Sequence, residues 1–113
     1  MGTARGNSLL ERRDARRVDI NTPVTLCVED FEVNTWMVNY SEHGALFRVD
    51  AKDQERVTTN DLGKEATFVL KVKSKSDREY TGEIIRFFIR GEDKYIALRF
   101  WDGYKELAEL EQL

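Results

Sequence analysis

From Thr22 onward, apolar residues recur at every second position. Val24, Leu26 and Val28 alternate with Thr25 and Cys27, and after the polar turn "EDFE" a second run carries Trp36, Val38 and Tyr40 on one face. Period two sends successive side chains to opposite faces of an extended chain, so each run predicts a half-buried strand. "ALFRV" gives a third strand, and "EATFVLKVK" a fourth with Ala66, Phe68, Leu70 and Val72 on one side. "YTGEIIRFF" and "YIALRFW" give the fifth and sixth, joined through "IRGEDK" as a hairpin in which Gly91 is free to take a positive φ. Between the third and fourth lies "DAKDQERVTTNDLGK", a polar connection longer than most hairpin loops. Six short strands with turn signals between them predict an all-β sandwich or barrel. The barrel is preferred because closure removes exposed edges. The strands cover about residues 18–101, after which "DGYKELAELEQL" places Tyr104, Leu107 and Leu110 at helical spacing. A short C-terminal helix over about residues 103–112 is therefore predicted, and a helix of that length must dock on the barrel to persist.

A chain of 113 residues makes one domain with a single core, here residues 11–113 behind a small polar tail at 1–10. The lone Cys27 has no internal disulfide partner, and its place in an apolar run reads as a small buried or half-buried strand residue. No stretch reaches the roughly 20 apolar residues of a membrane helix, and the longest near-apolar run, "IIRFFI", is interrupted by Arg86. The opening "MGTARGNSLLERR" lacks the apolar centre of a secretion signal, so a cytoplasmic protein without membrane insertion is expected.

Charge changes the picture in one place. The formal net charge is −3, yet residues 1–17 hold five arginines against Glu11 and Asp14, about +3, leaving about −6 for the rest. Four of these arginines crowd into "RRDARRV", residues 12–18. Like charges three or four residues apart on a helix repel by a few tenths of a kcal/mol, so the cluster asks for a reason. One reading is a solvated helix, begun by a capping box of Ser8 and Glu11 and ending on cations that suit its dipole. The other is an anion site.

A second signal is "NYSEHG", residues 39–44. If the second strand runs through it, Asn39 and Ser41 project to the outer wall while Tyr40 turns to the other face with Trp36 and Val38. Gly44 then suits a positive φ or a close approach of a ligand to the backbone. Asn, Ser and Gly also favour plain turns, and His43 reads as an exposed loop residue. Asn39-Tyr40-Ser41 spells a glycosylation acceptor too, a reading that needs secretion.

Together "RRDARRV" and "NYSEHG" resemble the paired signatures of the PilZ domain, R-x-x-x-R and [D/N]-x-S-x-x-G. "TGEIIRFF" and "KYIALRFW" are similar to that family's last two strands. The resemblance implies a six-stranded antiparallel β-barrel with a C-terminal helix, and a receptor for the bacterial second messenger cyclic di-GMP. The arginine pair maps onto Arg13 and Arg17 ahead of Val18, while Arg12 and Arg16 offer the same spacing one residue earlier. Asn39, Ser41 and Gly44 are the implied wall residues, and Arg86, on a strand that sometimes joins the site in relatives, is a further candidate.

The residue types suit the ligand. A guanidinium fork pairs bidentately with phosphate oxygens or with guanine O6 and N7, and its flat face stacks on a base. Asn39 supplies a single acceptor oxygen where the family's aspartate would accept from two guanine N–H groups at once. The resemblance implies no cofactor, signalling through an unidentified effector protein, and a monomer or weak dimer. Enzyme chemistry is not expected. A metal pair would need a second histidine, and neither a nucleophile motif nor a phosphate-cradling glycine loop is present. Two alternatives remain, a ligand-independent interaction module of the same fold and a barrel binding single-stranded nucleic acid. The acidic barrel segment argues against nucleic acid as a partner.

Overall fold

The computed structural model describes residues 18–72 and 76–107. Six strands follow one another: β1 (Val18–Val28), β2 (Phe31–Tyr40), β3 (Gly44–Val49), β4 (Glu65–Leu70), β5 (Arg78–Arg90) and β6 (Asp93–Glu106). They close in the order β1-β2-β3-β6-β5-β4, with every neighbouring pair antiparallel. The expected barrel is therefore present. Its hairpin turn at Gly91 has φ 66°, the left-handed conformation that glycine adopts without a Cβ clash.

Alternation builds the core. Leu26, Val33, Met37, Phe47, Val49 and Ile96 are fully buried, and Phe68 links Phe47 edge-on at 5.2 Å to Tyr80, stacked at 5.2 Å. The buried Thr35 hydroxyl donates to the Val24 carbonyl at 2.8 Å, so its burial leaves no polar group unsatisfied. The long polar connection folds into two 3-10 turns, Ala51–Arg56 and Thr59–Asp61, and the buried Asp53 carboxylate accepts from the Asn34 N–H at 2.8 Å. Lys94 pins the first turn from β6 by donating to the carbonyls of Gln54 and Val57.

Three expectations are corrected. The helix expected over about residues 103–112 does not begin where the apolar spacing suggested, because 103–106 continue β6. Tyr104 pairs with Tyr80, and Glu106 with Arg78, so ladder hydrogen bonds and the Arg78 guanidinium 4.3 Å from the Tyr104 ring outweigh a marginal helical turn. Residues 108–113 lie outside the described residues, as does the Ser8–Glu11 capping box. Second, Cys27 lies in a strand as expected but is exposed, because Leu26 and Val28 take the inward positions on either side. Partial desolvation and the negative Glu32 beside it raise its thiol pKa, which disfavours the reactive thiolate. Third, Trp36, Val38 and Tyr40 do not share a face. Met37 points inward, Val38 has no partner on β3, and Tyr40 packs on the core two residues after a register shift.

A candidate anion cleft on the bulged wall

That register shift matters for the site. Met37 pairs with Phe47 and Asn39 with Leu46, so Val38 is an extra residue, a β-bulge. In a regular strand Asn39 would follow Met37 into the core, since residues two apart share a face. The bulge restores Asn39 to the outer wall. β5 repeats the device, because Ile84 pairs with Leu98 and Arg86 with Ala97, leaving Ile85 unpaired. Ile84 points into the core, Arg86 is exposed outside, and Phe87 returns to the core.

The two bulges flank one continuous row. Asn39 pairs with Leu46, Leu46 with Ala97, and Ala97 with Arg86, across β2, β3, β6 and β5. A cleft of about 510 Å³ opens over this row, lined by Asn39, Ser41, Gly44, Leu46, Arg86 and Arg90 among others. That volume lies within the roughly 300–1,000 Å³ range of small-molecule sites. Its floor is apolar through Leu46 and Ala97; Asn39 and Ser41 stand at one margin, Arg86 and Arg90 at the other, and Arg99 borders it from β6 beside Gly44.

At the β2 margin, Ser41 is both a turn residue and a free donor. Its Oγ accepts from the His43 N–H at 3.1 Å, and its backbone N–H donates to the Gly44 carbonyl at 2.9 Å. The hydroxyl hydrogen remains able to donate into the cleft. His43 is exposed and lines the same cleft, and its carbonyl accepts from the Phe100 N–H at 2.8 Å. The φ of Gly44 is not positive, which corrects one of the two expected demands, and β6 packs closely against it. A Cβ there would overlap the Leu98 carbonyl oxygen, so glycine lets β3 and β6 close together under the cleft.

The wall next to the cleft carries charge that the sequence reading missed. Trp36, Arg48, Tyr95 and Phe88 form the neighbouring outward row, with the Arg48 guanidinium 5.9 Å from the Trp36 ring centre. Phe88 and Tyr95 stack at 5.2 Å with planes 6° apart. Arg48, Arg86 and Arg90 make no salt bridge with any acid among the described residues, and Arg99 reaches Glu83 at 3.4 Å. A barrel segment of negative net charge thus gathers four arginines on one wall. The alternation Arg86-x-Phe88-x-Arg90 is the sequence signal that could have found Arg90.

Arg12, Arg13, Arg16 and Arg17 lie outside the described residues. The backbone still fixes where their segment joins the barrel, because Val18 pairs with Tyr40 and Asp19 with Asn39. Arg17 therefore immediately precedes the residue that lies opposite the motif on β2. Among the described residues no group of three His, Cys, Asp or Glu side chains could hold a metal ion, and no helix is long and apolar enough to cross a membrane.

Comparison with known proteins bears on the same residues. The sequence profile of the PilZ domain matches residues 11–113, and no curated protein matches the chain. Among solved structures, the Bacillus subtilis inhibitor of motility (MotI/DgrA) is similar at a TM-score of 0.64 with 18% identity. The similarity covers 89% of this chain and 46% of that longer one, so the chain spans about half of its length.

Proposed function

We propose a function from one premise: the chain belongs to the PilZ domain family. It is a receptor for cyclic di-GMP, gripped between the arginine segment and the bulged wall. Arg13 and Arg17 pair with phosphate or with guanine O6 and N7, and Arg12 and Arg16 hold the alternative register. Asn39 and Ser41 supply polar contacts to a guanine, Gly44 keeps the wall closed beneath them, and Arg86 faces the ligand from β5. The observation that carries this reading is the pair of bulges that turns Asn39 and Arg86 onto one cleft beside the start of β1.

Ligand capture orders residues 8–18 against the barrel and so creates or conceals a surface for an effector protein. A dianion between converging guanidinium groups relieves their mutual repulsion, which is what crowding them gains. Isothermal titration with cyclic di-GMP tests the reading. Native protein gives saturable heat, Arg17→Ala weakens binding on the order of a hundredfold, and Ser41→Ala about tenfold. Absence of heat with native protein overturns the reading in favour of a ligand-independent interaction module. Equal amide protection of residues 8–18 with and without ligand would remove the ordering step.

A further inference from the structure

We propose that Arg90 is a further ligand-contacting residue and that Phe88 is the positioning residue that aims it, an inference that rests on the dinucleotide reading above. The cleft has two polar margins with an apolar floor between them, and only a ligand with two polar halves can use both at once. Asn39 and Ser41 form one margin; Arg86 and Arg90 form the other. Along the row from Asn39 to Arg86 the backbone crosses three strand spacings of about 4.8 Å each, roughly 14 Å in all. One nucleotide of a cyclic dinucleotide then rests at the β2 margin, and its partner lies toward β5.

Arg86 and Arg90 are held there by a ring rather than by acids. Their guanidinium carbons stand 5.1 and 5.7 Å from the centre of Phe88, and that of Arg90 is also 6.0 Å from Tyr95. Tyr95 stacks against Phe88, so the platform under the two cations is itself supported. Cation–π contact attracts a guanidinium without neutralising it, leaving its N–H fork available to a phosphate or a guanine edge. Neither arginine forms a salt bridge among the described residues; Asp93 is the cross-strand partner of Arg90, yet its carboxylate stays beyond ion-pair distance of the guanidinium. Two like charges side by side on one supported ring are poised for an anion.

The test is the affinity of Arg90 and Phe88 variants for cyclic di-GMP, with thermal melting of the unliganded proteins beside it. Arg90→Ala weakens binding about tenfold, the loss of one charge-assisted contact, and makes affinity less steeply dependent on salt. Because Arg90 is exposed and loses only its contacts with the two rings, the unliganded melting point moves by no more than a few degrees. Arg90→Lys restores charge but not the planar fork, and recovers only part of the affinity. Phe88→Ala weakens binding severalfold, whereas Phe88→Tyr keeps the platform and binds as native. Native binding unchanged by Arg90→Ala, or equal affinities for Phe88→Ala and Phe88→Tyr, overturns the inference while leaving the dinucleotide reading standing. Failure of native protein to bind overturns both.

Discussion

The bulged wall and the seam on the far side of the barrel are built from the same antiparallel pairing but spend it differently. On the wall, β3 pairs with β6 from Gly44 to Arg48, and β5 pairs with β6 over most of its length, so the floor of the cleft is continuous sheet. At the seam, β1 and β4 meet only through Cys27 with Thr67 and Val28 with Ala66 among the described residues. The first half of β1, including Val18 and Asp19, is held by β2 alone and carries its own register shift between Asp19 and Thr22. Continuous pairing therefore underlies the cleft, while the first half of β1 is paired on one side only among the described residues. Dense pairing on both sides opposes local opening, and one-sided pairing permits it.

That contrast can be broken from the wall side. Gly44 of β3 lies under the cleft, and a Cβ there would overlap the Leu98 carbonyl of β6. Gly44→Ala should destabilise the unliganded barrel by about 3 kcal/mol, measured by urea unfolding, whereas Thr67→Ala at the seam should cost about 1 kcal/mol or less. Comparable losses at the two positions would mean that the wall is no more tightly built than the seam. Next in size, Asn39→Asp should strengthen cyclic di-GMP binding about tenfold in a calorimetric titration, since a carboxylate accepts from guanine N1–H and N2–H together. A weakening would show that repulsion from the phosphates governs this margin instead.

The Ser41 hydroxyl has a second part to play. It accepts from His43 as well as facing the cleft, so Ser41→Ala should cost about 1 kcal/mol of unliganded stability in addition to its effect on binding. The smallest expected effect concerns alkaline pH. Burial raises the pKa of the Tyr80 phenol above its ordinary value, against the opposing hydrogen bond from Arg78. The folded state thus holds that proton more tightly than the unfolded chain. The resulting stability is fully present below the unfolded tyrosine value of about 10 and is lost as pH rises through the folded value. Tyr80→Phe should flatten the fall in stability above pH about 10; an unchanged slope would assign that fall to other groups.

The strands were legible in the sequence because alternation is a local signal: Val24, Leu26 and Val28 face inward as their spacing requires. Parity across Trp36 to Tyr40 was not legible, because a bulge leaves no mark in the hydrophobic pattern except the parity error itself. The outward position of Asn39 was anticipated, but on a regular strand that the fold does not contain. Near the C-terminus, Tyr104 and Leu107 carry helical spacing, yet long-range pairing with Arg78, Glu79 and Tyr80 takes residues 104–106 into β6. Local spacing cannot report such a partner. The motif on β2 could be read from its letters and Arg86 from its strand, whereas Arg48 and Arg99 could not, since they come from β3 and β6 and meet the others only after folding.

Amide chemical-shift mapping during titration of the native protein with cyclic di-GMP reads the wall and the seam in one experiment. Saturable shifts are expected in residues 8–18, in Asn39 to Gly44 and in Arg86 to Arg90, with Val28, Ala66 and Thr67 left in place. Shifts centred on the seam, or none at any concentration of the dinucleotide, would contradict that expectation.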